Sequence, residues 1–149
     1  ISDAVQFQIR ADVQSSIYKI KNEILKNDFF LIEKELPFVL NMKNSSEANI
    51  KLYGIIDALL YNENNIYIVD YKYSFFNDEN PVYRMQLILY AFAVYEIFGR
   101  FPDALYICYL RSPDAHLRKY HADEIEYFNN GQSSETAECV LLKNFNFIN

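Results

Sequence analysis

Tryptophan is absent from this 149-residue chain, glycine occurs three times, proline four times, and cysteine and histidine twice each. Three glycines leave no room for a Gly-rich loop that cradles phosphates with successive backbone N–H groups. The two cysteines, Cys108 and Cys139, sit in apolar strand-like runs and read as small core residues. A disulfide between them is allowed but not demanded, and a reducing cytoplasm is the setting that suits this usage. The two histidines, His116 and His121, lie far from every other candidate in sequence and read as surface residues. Ser/His/Asp and Cys/His catalysis therefore find no support. No apolar run approaches the roughly 18 residues of a membrane span, and no signal-peptide pattern opens the chain. Repeats, low-complexity runs and Gly/Ser linkers are also missing. What remains is one domain, residues 1–149, whose 51% hydrophobic content suffices for a proper core.

Positive charge is scarce as well. Fourteen Lys and Arg face 20 Asp and Glu, for a net charge of −6. The cations fall in short groupings: Arg10; Lys19, Lys21 and Lys26; Arg84; Arg111, Arg118 and Lys119. Counterion release from nucleic acid needs clustered cations, so a free-standing nucleic-acid binder is disfavoured. A catalytic module that borrows its grip from a larger protein fits better. Aromatic residues are plentiful, with 13 Tyr and 12 Phe. Bases can stack on such rings, but their strand and helix spacing reads as core, and no single stacking residue stands out.

The most informative stretch runs from Gly54 to Lys72. Ile50 to Tyr61 and Asn65 to Tyr73 read as strands, rich in Ile, Leu, Tyr and Val. The polar Asn62-Glu63-Asn64-Asn65 between them predicts an antiparallel hairpin. A turn centred on Glu63-Asn64 sets Asp57 opposite Asp70, with Lys72 on the same face by the period of two. Opposed carboxylates repel, and apolar surroundings sharpen the repulsion. Cations relieve it, and oxygen ligation suits Mg²⁺ or Mn²⁺ without His or Cys. Lys72 then fits as a point charge for a phosphate oxygen or as a partner orienting a water. The blander reading makes one Asp a hairpin cap and pairs the other with Lys72.

Two further segments join this hairpin. Phe29 to Leu40 reads as a strand carrying Glu33 and Glu35 on one face. The polar segment Asn41 to Asn49 returns the chain, and a turn near Ser45-Ser46 brings Glu35 towards Asp57, with Glu33 as the fallback. Downstream, Pro81 to Phe98 predicts a largely buried helix with Asp78 or Asn80 as its cap and Gly99 past its end. Gln86 and Tyr90 share a face at i,i+4, with Tyr83 a turn earlier and Arg84 beside it. An amide inside such a helix needs a partner: backbone, a phosphate or the lysine.

In these residues the chain resembles the PD-(D/E)XK nuclease superfamily, in particular the nuclease domains of RecB- and AddA-type helicase–nucleases. The motifs are Glu35-Leu36-Pro37-Phe38, Gly54-Ile55-Ile56-Asp57, Val69-Asp70-Tyr71-Lys72 and Gln86-Leu87-Ile88-Leu89-Tyr90, in family order within 29–93. The resemblance implies a metal-dependent DNA nuclease, an exonuclease module of a repair and recombination helicase–nuclease. It implies Asp57, Asp70 and the Tyr71 backbone carbonyl as ligands of Mg²⁺ or Mn²⁺, and Lys72 as the charge on the phosphate or water. Glu35 aligns with the family's upstream acid, and Gln86 and Tyr90 support the site and its substrate; Tyr83 and Arg84, outside the family motif, are further candidates for that support by their place on the helix. Implied partners are DNA and a helicase, as a domain of the same protein or a separate chain, in the cytoplasm and without a membrane. Two departures stand out. The candidate first helix, 6–26, has no His, its acids being Asp12 and Glu23, so a first-helix ligand is either missing or lies upstream of Ile1. Two cysteines also cannot ligate the four-cysteine iron–sulfur cluster of some relatives. The fold expected is α/β, a restriction-endonuclease-like core with a mixed central β-sheet flanked by helices. Alternatives are a catalytically inactive nucleic-acid-binding or scaffold domain of this fold, and a stand-alone restriction or mobile-element endonuclease.

Overall fold

A computed structural model describes residues 2–26, 28–44, 46–76, 80–112, 116–121, 126–128, 134–136 and 145–147. Helix α1 (Asp3–Lys19) opens the chain, its first turn capped by the Ser2 side chain, and passes into a π-helical turn over Ile20–Leu25. Strands β1 (Leu31–Asn44), β2 (Asn49–Tyr61) and β3 (Ile66–Lys72) follow as a meander, then helix α2 (Pro81–Phe98) and strands β4 (Ala104–Tyr109) and β5 (His116–Tyr120). Three short strands complete the described residues: β6 (Glu126–Phe128), β7 (Ser134–Thr136) and β8 (Phe145–Phe147).

The main sheet has the order β5-β4-β3-β2-β1-β8; β6 and β7 pair separately. Every neighbouring pair of the main sheet is antiparallel except β3 and β4, which are parallel. Parallel neighbours need a crossover, and α2 supplies it. The sheet is mixed and helices cover it, so the expected α/β architecture holds. One face carries a core of Leu40, Ile56, Ile68, Leu105 and Ile107 under Leu87, Ala91 and Val94 of α2. The other is smaller, with Ala58, Leu60, Val69, Tyr106 and Cys108 under Ile24 of the π-helical turn. Cys108 is buried and unbridged; burial lifts its thiol pKa to about 11, as befits an inert core residue. Cys139 lies outside the described residues.

Sequence signals placed several boundaries well. The α2 limits are Pro81 and Phe98, with Asn80 accepting from the Val82 N–H and Gly99 closing the helix in the left-handed region at φ 73°. Asp78, the other cap candidate, lies outside the described residues. The β2–β3 turn is held by Asn62, whose side chain accepts from the N–H groups of Asn64 and Asn65. Elsewhere the structure differs. β1 runs on to Asn44 and β2 begins at Asn49, so most of the polar return segment is strand; ladder hydrogen bonds to β2 outweigh the poor strand propensity of asparagine. Asp123 to Phe128 reads in the sequence as a short helical turn, but its described part is the strand β6, for Tyr127 and Phe128 are strand formers and β6 pairs with β7. β4 stops at Tyr109 because the next two N–H groups turn back to Lys72 O and Ser74 O. Neither histidine is fully exposed: His116 rests on Phe76 and Tyr109, and His121 is half-buried. Among the described residues, no helix is long and apolar enough to cross a membrane.

Candidate active site

The site forms where three strands lose their regularity together. β2 and β3 pair from Tyr61↔Ile66 to Ala58↔Val69 and then part. One more step in that register sets Asp57 across from Asp70, as the turn position predicted. In place of a further backbone bond, Asp57 Oδ2 accepts the Tyr71 N–H at 2.8 Å. On the other side of β2, the β1 ladder runs through Lys34↔Ala58 and Leu36↔Ile56 and is interrupted between them, where Glu35 faces Asp57. Glu35 has φ 49°, in the left-handed region. For a non-glycine residue this conformation costs about 1–2 kcal/mol. Both strands exchange faces at this step. Before it Ile32 and Lys34 of β1 line the cavity beside α1, whereas after it Leu36, Phe38 and Leu40 pack under α2. Sequence reasoning brought Glu35 to Asp57 but missed the switch, since glutamate carries no signal for positive φ. Glu33, the fallback, instead pairs with Leu59.

Asp70 and Lys72 point from β3 towards α2. Asp70 is 1% exposed, and its Oδ2 lies 2.8 Å from Lys72 Nζ. That contact is a charge-assisted ion pair to a buried oxygen. Burial raises the Asp70 pKa from 3.8 to about 6; Lys72 opposes the rise and Asp57 adds to it. Lys72 Nζ also donates to Gln86 Oε1 at 2.6 Å and stands 4.7 Å from the centre of the Tyr83 ring. Gln86 Nε2 completes the chain by donating to Tyr90 OH at 2.5 Å. Burial, then Asp70, lift the Tyr90 phenol to about 12, so it stays protonated. The amide partner is thus the lysine. Arg84 is half-buried and about 100° round the helix from Tyr83, off the face shared by residues 83, 86 and 90.

The apolar motif positions hold this chain in place. A Cβ on Gly54 would come within 2.3 Å of the Phe38 ring, so only glycine admits that ring. Phe38 meets Tyr90 edge-on at 5.7 Å. Gly54, Phe38, Tyr90, Gln86, Lys72 and Asp70 therefore form one contiguous path. Pro37 sits where β8 no longer pairs with β1, at an edge that tolerates a missing N–H.

A cavity of about 1060 Å³ opens on the α1 side of the strand separation. Ile17, Ile20, Leu25, Ile32 and Leu60 line it along with Glu35, Asp57, Tyr71 and two lysines, Lys21 and Lys34. The lysines escaped the sequence reading because nothing in their spacing marks a shared groove. Among the described residues no three His, Cys, Asp or Glu side chains group closely enough to hold a metal. The acids present are a pair, Asp57 and Asp70, with Glu35 facing Asp57 from β1.

The model of the PD-(D/E)XK nuclease superfamily matches residues 7–143, nearly the whole chain, and the chain belongs to that superfamily. Over 90 residues it is 33% identical to an ATP-dependent helicase/nuclease protein of Ligilactobacillus salivarius (strain UCC118). That match covers 52% of this chain and 7% of the relative, so the chain spans a small part of that protein's length. It is consistent with a nuclease domain of the RecB/AddA type. Among solved structures, that of SSO0001 aligns with 74% of this chain and 52% of its own at a TM-score of 0.48 and 21% identity.

Proposed function

We propose that the chain is a metal-dependent deoxyribonuclease, acting as an exonuclease module of a helicase–nuclease in DNA repair and recombination. The observation that carries this reading is the Asp57, Asp70 and Lys72 arrangement at the carboxyl end of β3. A buried carboxylate whose pKa stays raised despite its lysine partner, faced by a second carboxylate, calls for more positive charge than one lysine brings. A hard divalent cation answers that need, and oxygen donors suit Mg²⁺ or Mn²⁺. Asp57, Asp70 and the Tyr71 carbonyl would hold it, with Glu35 supplementing the acids from β1. When bound, such an ion supplies charge neutralisation at the phosphate and an acidified water.

The chain's own residues do the rest. Lys72 keeps an ammonium at the mouth of the site, fixed by Gln86 and the Tyr83 face, where a phosphate oxygen can take its hydrogen bond. Lys72, which can only donate, turns the Gln86 amide oxygen towards itself, and the Tyr90 hydroxyl accepts from the amide nitrogen and holds that orientation. Lys21 and Lys34 flank the cavity and give the backbone of a nucleic-acid strand two counter-charges on an apolar floor. The net charge of −6 leaves most of the grip on DNA to a helicase, whether joined in one chain or separate. One observation favours a second reading, a binding domain without turnover: the absence of a three-acid cluster among the described residues. Incubation of the purified chain with linear DNA in Mg²⁺ or in chelator separates the two. Metal-dependent degradation, lost in Asp70→Ala, supports the nuclease. Undiminished Mg²⁺-dependent activity in Asp70→Ala refutes the site assignment.

A further inference from the structure

Directly beyond Lys72, the chain exposes three aromatic rings. Tyr73, Phe75 and Phe76 are 53%, 58% and 43% exposed. The Arg111 guanidinium lies 4.7 Å from the centre of the Phe75 ring and 5.8 Å from that of Tyr73. His116 tilts over Phe76 at 4.1 Å. The backbone beneath these rings is pinned. Leu110 N donates to Lys72 O at 2.9 Å, Arg111 N to Ser74 O at 3.2 Å, and Phe76 N to Ser112 Oγ at 2.6 Å. Phe76 also stands edge-on to the buried Tyr109, and the Tyr73 hydroxyl donates to Asp12 on α1. Rings left in water on a fixed backbone are a surface prepared for a flat partner.

We propose that Tyr73, Phe75 and Arg111 form a stacking platform for one strand of nucleic acid, deepening the nuclease reading on which it rests. Unpaired bases offer free faces to aromatic rings, and a guanidinium held against a ring meets either a base plane or a phosphate. Bases inside a duplex already stack on one another, so the platform selects single-stranded substrate or a frayed end. The position fits that task, because Tyr73 adjoins Lys72 and a base on the platform places its phosphate near the site. Stacking also suits an acidic chain, being far less salt-sensitive than a run of phosphate contacts.

The chain has no tryptophan, so Phe75→Trp introduces a single fluorescent reporter at the platform. Binding of a fluorescein-labelled oligothymidylate single strand and of a duplex of equal length is measured in chelator, where cleavage is off. The platform predicts saturable binding that favours the single strand, and quenching of the Phe75→Trp fluorescence by the oligonucleotide. Phe75→Ala weakens binding about 5- to 150-fold, the range stacking of one base spans, while Phe75→Tyr retains it. Arg111→Ala weakens binding and lowers the salt slope by about 0.7. Binding unchanged in Phe75→Ala, an unquenched tryptophan, or no saturable binding of the single strand overturns the platform. So does self-association of the chain that Phe75→Ala abolishes in place of oligonucleotide binding. Cleavage that survives without dependence on Phe75 removes the platform and leaves the nuclease; platform binding with no cleavage in Mg²⁺ does the reverse.

Discussion

Replacing Asp70 by asparagine should stabilise the fold even as it removes a carboxylate from the site. The side chain is 1% exposed, and burial raises its pKa from 3.8 to about 6. At 1.36 kcal/mol for each tenfold change in proton affinity, holding this group ionised at pH 7 costs about 3 kcal/mol. The attraction of Lys72 is already contained in that value. The sign follows from linkage. Between about pH 4 and 6 the folded chain binds the extra proton, so the Asp70 contribution to stability falls as pH rises through that window. It is level on either side. Asparagine keeps the shape and drops the charge, while Lys72 retains Gln86 and the Tyr83 ring. Urea unfolding of both proteins in chelator, from pH 4 to 8, reads the effect. Asp70→Asn should be more stable by about 3 kcal/mol at pH 7, with the gap closing towards pH 4. A variant no more stable at pH 7, or a gap independent of pH, refutes the view that the site carboxylate strains its own fold.

Other consequences of the geometry are equally open to measurement. Gly54→Ala drives a methyl into the Phe38 ring, so it should destabilise by about 1–3 kcal/mol and lower cleavage by moving Tyr90. The paired change Phe38→Leu should recover part of the stability in a double-mutant cycle. Glu35→Gly relieves a positive φ and should gain about 1 kcal/mol in chemical denaturation, with reduced cleavage; a loss of stability contradicts the strain. Gln86→Leu strips Lys72 of its acceptor. Steady-state kinetics should show kcat down about 5- to 150-fold, equivalent to one unsatisfied buried partner, and a Gln86→Glu rate nearer the unaltered chain.

How much of this was legible in the sequence depended on how local the determinants were. The hairpin register followed from two residues, Glu63 and Asn64, at a tight turn flanked by strand formers, and α2 from a proline at its first position and a glycine past its last. The Lys72–Gln86–Tyr90 path was half visible: i,i+4 spacing put Gln86 and Tyr90 on one face, but only the crossover of α2 showed the lysine as the amide's partner. Contacts that join distant segments were hidden. Gly54 under Phe38, the face switch at Glu35 and the stacking of Arg111 on Phe75 arise from sheet geometry, to which single residues give no clue. The exposed aromatics were hidden too. Strand and helix spacing made most Tyr and Phe read as core, with no single stacking residue standing out, whereas β3 ends at Lys72 and Tyr73, Phe75 and Phe76 beyond it are exposed.

Metal binding and turnover, measured together on the same preparations, probe the paired carboxylates and the lysine most directly. Mn²⁺ titrated into the unaltered chain should raise the unfolding temperature saturably, because a ligand of the folded state alone stabilises it. Asp57→Ala and Asp70→Ala should each abolish that rise along with DNA cleavage. Lys72→Ala should keep the Mn²⁺ response and lose cleavage, dividing the site into acids that hold the ion and a cation that meets the phosphate. Mn²⁺ protection that persists without both aspartates, or cleavage that persists without Lys72, contradicts the account.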